Sequence, residues 1–108
     1  MDEENTLEKA YTVALRYLSY RPRSEAEVRN HLRPKHLGQV VETVVERLKE
    51  QGLLDDRAFA HAWSQSRAHS RPRSAALVRR ELLQKGVAQE TAQAAAETLD
   101  DEESAYSA

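Results

Sequence analysis

The chain has 108 residues, a formal net charge of −2, 40% hydrophobic residues and 31% charged residues, which is typical of a folded protein with a highly charged surface. It contains no Cys, so disulfide bonds, thiolate nucleophiles and cysteine-based zinc sites are excluded. No apolar run approaches the roughly 20 residues that cross a bilayer, and the acidic start does not resemble a secretory signal.

The first predicted helix follows an acidic N-terminal tail, residues 1–5, and ends before Pro22. Asn5 is expected to cap this helix, with Glu8 three residues later. Pro22 is expected to end it because the residue before a proline disfavours helical backbone angles. The apolar residues recur at spacings of four and three, which places them on one helical face. They are Leu7, Tyr11, Ala14 and Leu18.

Two shorter helices are predicted between Pro22 and Gly52. Ser24 and Glu27 have the spacing of a capping box at the start of the second helix, and Pro34 limits its length. Gly38 is expected to open the third helix, and Gly52 suits the left-handed position that ends it. The inward-facing residues of the two helices are Val28, Leu32, Val41, Val44, Val45 and Leu48.

The second half of the chain has the same plan. Asp55 is a good N-cap, and Asp56 suits the positive end of the helix that follows. Pro72 is expected to end this fourth helix, Ser74 to cap the fifth and Gly86 to end it. The inward faces are predicted to consist of Phe59, Trp63, Val78, Leu82, Ala92, Ala95, Ala96 and Leu99.

An internal repeat explains the shared plan. Residues 21–35 and 71–85 are identical at nine of 15 positions with an offset of 50. The sequence therefore predicts an all-α fold of two tandem three-helix repeats, residues 6–52 and 53–100, in an elongated, curved array. The last helix is expected over residues 88–99.

A weaker sequence match relates the C-terminus to the start of the first repeat. Glu103–Tyr106 matches Glu8–Tyr11 at three of four positions. Residues 101–108 are accordingly expected to be an acidic tail or the start of a truncated third repeat.

Basic residues are the main candidates for a binding role. All 16 Lys and Arg lie between positions 9 and 85, and with the 11 acids of residues 5–99 they give the middle of the chain a charge of +5. Each Arg-Pro-Arg-Ser segment precedes a helix N-terminus, whose free N–H groups favour anions. The alternative is that these arginines are ordinary solvated residues. The candidates for contact with a partner or DNA are Arg21, Arg23, Arg29, Arg67, Arg71, Arg73, Arg79, Arg80 and Lys85.

Other chemistry is weakly supported. Tyr17, next to Arg16, could stack on the bases of single-stranded nucleic acid, although packing beside the first helical face is the favoured interpretation. The four His residues lack the spacing of a metal pair on one helix. Capping explains Asp55 and Asp56 better than paired-acid catalysis does. We therefore expect no enzyme activity, no metal and no cofactor.

Three segments of the chain resemble the signatures of the RecX regulatory family. They are Arg21-x-Arg23-Ser24-x-x-Glu27-Val28-x-x-x-Leu32, Gly52-Leu53-Leu54-Asp55-Asp56-x-x-Phe59-Ala60-x-x-Trp63-x-x-x-Arg67 and Val78-x-x-Glu81-Leu82-x-x-Lys85-Gly86-Val87. The positions that we take as the structural signature are Ser24, Glu27, Asp55, Asp56, Phe59, Trp63, Ser74 and Gly86. Many family members have Gly at the position of Ser74, and the family usually has three repeats.

The resemblance implies a cytoplasmic bacterial regulator that is not an enzyme, and we expect the chain to be a monomer. Such proteins bind the filament of the RecA recombinase and mainly inhibit its recombinase, ATPase and coprotease activities, which act in DNA repair, recombination and the SOS response. A stand-alone module that binds single- or double-stranded DNA is the alternative. An inert structural repeat is a third interpretation.

Overall fold

The computed structural model describes the backbone of residues 2–70 and 74–107, and the side chains of residues 6–67 and 74–99. Within these ranges the chain forms six helices and no strand, which confirms the all-α prediction. The helices are α1 (Asp2–Tyr20), α2 (Glu25–Leu32), α3 (Gly38–Glu50), α4 (Asp56–Ser70), α5 (Ala75–Gln84) and α6 (Gln89–Ser107). They divide into two compact units of three helices, unit 1 (Met1–Asp55) and unit 2 (Asp56–Ala108).

Capping residues set several of the helix ends. The Ser24 hydroxyl accepts a hydrogen bond from Glu27 N, and the Glu27 carboxylate accepts one from Ser24 N, so the predicted capping box is confirmed. Ser74 caps α5 by accepting a hydrogen bond from Leu77 N at 3.2 Å. Asp55 directly precedes α4. These contacts satisfy amide groups that have no partner inside the helix.

Two glycines end helices in equivalent ways. Gly52 and Gly86 have φ angles of 74° and 84°, a left-handed conformation that favours glycine. The residue after each glycine donates a hydrogen bond back over five residues, Leu53 N to the Leu48 carbonyl and Val87 N to the Leu82 carbonyl. This is the Schellman pattern, and it directs the chain out of α3 and α5.

Each unit has its own hydrophobic core. In unit 1 the buried residues come from all three helices and the segment that follows them, and Tyr11, Tyr17 and Leu18 pack against them. In unit 2 Trp63 packs, half-buried, against the core, and the small alanines of α6 let the helices approach closely. The core residues are Ala10, Ala14, Val28, Leu32, Val41, Val44, Val45, Leu48 and Leu54 in unit 1, and Phe59, Ala60, Val78, Leu82, Val87, Ala92, Ala95 and Leu99 in unit 2. Ala96 is also buried.

Many positions of the two cores correspond. With the offset of 50, Ala10, Val28 and Leu32 are equivalent to Ala60, Val78 and Leu82, and all six are buried. With an offset of 51, the buried positions of α3 are equivalent to those of α6. The first such pair is Val41 and Ala92, and the last is Leu48 and Leu99. The repeat in the sequence is therefore a repeat of packing.

Two predicted boundaries are wrong. The first helix begins at Asp2, so Asn5 lies inside it and is not its N-cap. The last helix continues past Leu99 to Ser107, so the acidic residues 100–103 are helical. Pro72, Arg71 and Arg73 lie outside the residues that the structure describes.

Ser64 is an exception within the core of unit 2. Its side chain is fully buried on α4, and its hydroxyl has no hydrogen-bond partner among the described residues. The equivalent position in unit 1 is the buried Ala14. Ser64→Ala is therefore expected to raise the free energy of unfolding by about 1 kcal/mol, because an unpaired buried hydroxyl is removed. Urea unfolding followed by circular dichroism measures this.

The reverse substitution in unit 1 is the matched control. Ala14→Ser introduces a hydroxyl into the equivalent buried position and is expected to lower the free energy of unfolding by about 1 kcal/mol. A loss of stability in Ser64→Ala would mean that the hydroxyl has a stabilising partner.

Candidate partner-binding surface

Acidic residues neutralise two of the predicted arginines of unit 1. Arg21 Nη2 lies 2.9 Å from a carboxylate oxygen of Glu27. Arg29 Nε lies 2.9 Å from Glu42, and its Nη2 lies 3.5 Å from Glu25. The charge that Arg21 and Arg29 offer to an anionic partner is therefore largely balanced within the unit.

The third predicted contact arginine of unit 1, Arg23, packs against Tyr17. The Arg23 guanidinium carbon lies 3.8 Å from the centroid of the Tyr17 ring, and Arg23 Nε donates a hydrogen bond to the Tyr17 carbonyl at 3.4 Å. The His31 ring stacks on Tyr17 with centroids 3.9 Å apart and planes 6° from parallel. The ring also packs against the core, which confirms the favoured interpretation of Tyr17. A nucleic-acid base would have to displace these neighbours in order to stack there.

In unit 2 the corresponding region is built around Trp63. Arg67 and Lys85 place their charged groups 4.7 Å and 4.6 Å from the Trp63 ring centroid, at distances typical of cation–π contacts. One Glu81 carboxylate oxygen accepts a hydrogen bond from Trp63 Nε1 at 3.1 Å and forms an ion pair with Arg67 Nε at 3.3 Å. Two of the predicted contact residues, Arg67 and Lys85, are therefore engaged with unit 2 itself.

The clearest difference between the units lies on α5. The three acids that pair with Arg21 and Arg29 in unit 1 have neutral counterparts in unit 2. These counterparts are Ala75 for Glu25, Leu77 for Glu27 and Gln93 for Glu42. Arg79 occupies the position of Arg29, and the exposed Arg80 follows it. Neither forms an ion pair with a described residue, which makes this α5 basic pair, Arg79 and Arg80, the candidate for contact with an anionic partner.

One pair of positions was missed by the sequence reasoning. Tyr17 and His31 stack in unit 1, and their counterparts at the offset of 50, Arg67 and Glu81, form an ion pair in unit 2. The repeat thus keeps a contact between its first two helices while changing its chemistry. Extending the alignment of the repeats from Arg21 back into the first helix would have identified Tyr17 and Arg67 as equivalent, but not their contacts.

The described residues offer little for other chemistry. No three His, Asp or Glu among them come close enough together to hold a metal ion. None of the helices, within the described ranges, has the length and apolar character needed to cross a membrane.

Two protein-family models match the chain, one to each unit. Residues 10–48 match the first three-helix domain of RecX, and residues 55–95 match the second. The chain belongs to the RecX family. The first match lies within unit 1, and the second lies in unit 2 apart from its first residue, Asp55, so the family assignment and the packing repeat agree.

Curated relatives and solved RecX structures agree with this assignment. The regulatory protein RecX of Halalkalibacterium halodurans is 41% identical over 101 residues, which are 93% of this chain and 38% of the relative. RecX of Thermobifida fusca is 35% identical over 97 residues, 89% of this chain and 52% of the relative. The chain therefore spans about 38% to 52% of the length of these RecX proteins.

The fold is shared with crystal structures of RecX. The structure from Lactobacillus salivarius superposes with a TM-score of 0.82 at 24% identity, over 85% of this chain and 60% of that one. A second regulatory protein RecX superposes with a TM-score of 0.80 at 27% identity, over 87% of this chain and 47% of that one.

Proposed function

We propose that this RecX-family chain binds the filament of the RecA recombinase and modulates it, mainly by inhibiting its recombinase, ATPase and coprotease activities. The observation that carries the proposal is the match of both units to RecX domains, with relatives named regulatory protein RecX. The chain acts in the cytoplasm as a monomeric binding protein, without a cofactor or a catalytic step.

The α5 basic pair is the proposed centre of the contact surface. Arg79 and Arg80 are the arginines on α5 whose charge no described carboxylate balances. A filament on DNA presents phosphates and acidic side chains, and unbalanced guanidinium groups bind both. The remaining predicted cations contribute long-range attraction to the same anionic partner.

The ATPase activity of RecA on single-stranded DNA tests the proposal. We expect the chain to lower the steady-state rate of ATP hydrolysis in a concentration-dependent and saturable way. The full-length RecX of Halalkalibacterium halodurans serves as the positive control. An unchanged rate at excess chain, while the full-length protein inhibits, would reject the proposed activity for this chain.

Direct DNA binding is the second candidate function, and the charge of Arg79 and Arg80, which pairs with no described carboxylate, favours it. It predicts tight binding to DNA without RecA, with an affinity that falls steeply as salt is raised. Fluorescence anisotropy of labelled single- and double-stranded oligonucleotides distinguishes the candidates, because the RecA proposal needs only weak binding to free DNA.

A further inference from the structure

Unit 1 has an open groove between α1 and the turn that joins α2 to α3. The groove has a volume of about 480 Å³ and a mostly apolar surface. Its lining residues are Glu8, Lys9, Thr12, Val13, Lys35 and His36. Val13 is 38% exposed there.

The repeat shows what fills the same place in unit 2. At the offset of 50, Lys9 and Val13 are equivalent to Phe59 and Trp63. Phe59 is only 4% exposed, and its ring centroid lies 6.2 Å from that of Trp63. The groove therefore exists in unit 1 because two aromatic side chains of the repeat are replaced there by smaller or more flexible ones.

The rim of the groove is also equivalent in the two units. Lys85, which lies over the Trp63 ring, corresponds to Lys35. Lys9 and Lys35 form no ion pair with a described residue, whereas Glu8 lies 3.7 Å from Arg47. An aromatic ring in the groove would find a cation where Trp63 finds Lys85, and a carboxylate beside that ring would find two lysines.

We propose that this groove is a docking site for an aromatic side chain, on a segment of a partner protein that also carries a carboxylate. The ring takes the place that Trp63 takes in unit 2, with Lys35 over its face. The carboxylate pairs with Lys9 or Lys35 at the rim. The proposal goes beyond the proposed action on RecA and requires neither RecA nor DNA for its test.

The first test is a titration of the ¹⁵N-labelled 108-residue chain, followed by NMR, with a blocked tripeptide that has Trp between two Asp residues. Amide shifts are expected at residues 8–13 and 35–36, with a dissociation constant of about 1 mM or below. The tripeptide with Ala in place of Trp should not bind. The tripeptide with Asn in place of Asp should bind about threefold more weakly or worse, because its charges are removed. Absence of shifts, or shifts centred elsewhere, would overturn the proposal.

Filling the groove from within the chain is the second test. Val13→Trp restores the residue that unit 2 has at this position and should weaken binding of the Trp tripeptide by about tenfold or more, since the ring would compete for the same space. Leu15→Trp is the matched control, because Leu15 is similarly exposed on α1 but does not line the groove, and binding should be unchanged. Equal affinity in both variants would contradict the proposed location.

The third test reverses one charge at the rim of the groove and does not depend on how the Trp introduced by Val13→Trp packs. Lys35→Glu changes an exposed side chain and should weaken binding of the Asp-containing tripeptide more than binding of the Asn-containing one, because both lose the cation over the ring but only the first loses an ion pair. Equal effects on both peptides would refute the proposed pairing with a carboxylate.

Discussion

Leu82→Ala is expected to lower the free energy of unfolding of unit 2 by about 3 kcal/mol. Leu82 is fully buried on α5, and its carbonyl also accepts the hydrogen bond from Val87 N that ends the helix. Removal of its side chain leaves a cavity among Phe59, Val78 and the alanines of α6. The alanine side chains are too small to fill this cavity. A unit of this size has a small core, so the loss is a large part of its total stability.

Leu83→Ala is the matched control for this prediction. Leu83 is the next residue of α5 but is 40% exposed, so the same substitution should cost less than about 1 kcal/mol. The chain has a single Trp, Trp63, and its fluorescence during urea unfolding reports on unit 2. Equal losses in the two variants would contradict the assignment of Leu82 to the core.

Reversal of the α5 basic pair is expected to have the largest effect on function. The double variant Arg79→Glu/Arg80→Glu should raise the concentration of chain needed for half-maximal inhibition of the RecA ATPase by about tenfold or more. The two substitutions change the net charge by −4, at a place where no described carboxylate balances the positive charge of the arginines. If the pair contacts DNA phosphates, the binding constant should also depend less on salt. The slope of its logarithm against the logarithm of the salt concentration should become shallower by about one unit per arginine.

An equal change of charge elsewhere separates local contact from general repulsion. Arg16→Glu/Arg33→Glu alters two exposed arginines of unit 1 and should shift half-maximal inhibition by only a few fold. Circular dichroism should show unchanged helix content in both double variants. A similar loss in the two double variants would indicate long-range electrostatics and would reject the α5 basic pair as the contact surface.

Local signals account for the parts of the fold that the sequence predicts well. Capping serines, left-handed glycines and apolar residues at helical spacing act over a few residues, so Ser24, Ser74, Gly52 and Gly86 mark their helix ends correctly. The repeat then extends these assignments from one unit to the other.

The two boundary errors have a physical cause. Acidic residues at the start of α1 suit the positive end of a helix, so the segment taken as a tail is helical from Asp2 onward. After Gly86 the sequence contains neither Gly nor Pro, so no residue near Leu99 ends α6. Charge composition alone was a poor guide to where these helices end.

The candidate surface was harder to predict because ion pairs depend on distant residues. Arg29 pairs with Glu42 across 13 positions, and Arg67 pairs with Glu81 on another helix. Such contacts have no short sequence signature. The comparison of equivalent positions in the two units separates arginines such as Arg29, which pair with described carboxylates, from those such as Arg79, which pair with none of the described ones.

Cosedimentation with RecA filaments tests the central claim most directly. At physiological salt, the chain should enter the pellet together with RecA assembled on single-stranded DNA, in a saturable amount. It should stay in the supernatant with the same DNA alone. Failure of the chain to enter the pellet, or equal recovery with DNA in the absence of RecA, would contradict the proposal that this RecX-family chain binds the recombinase filament.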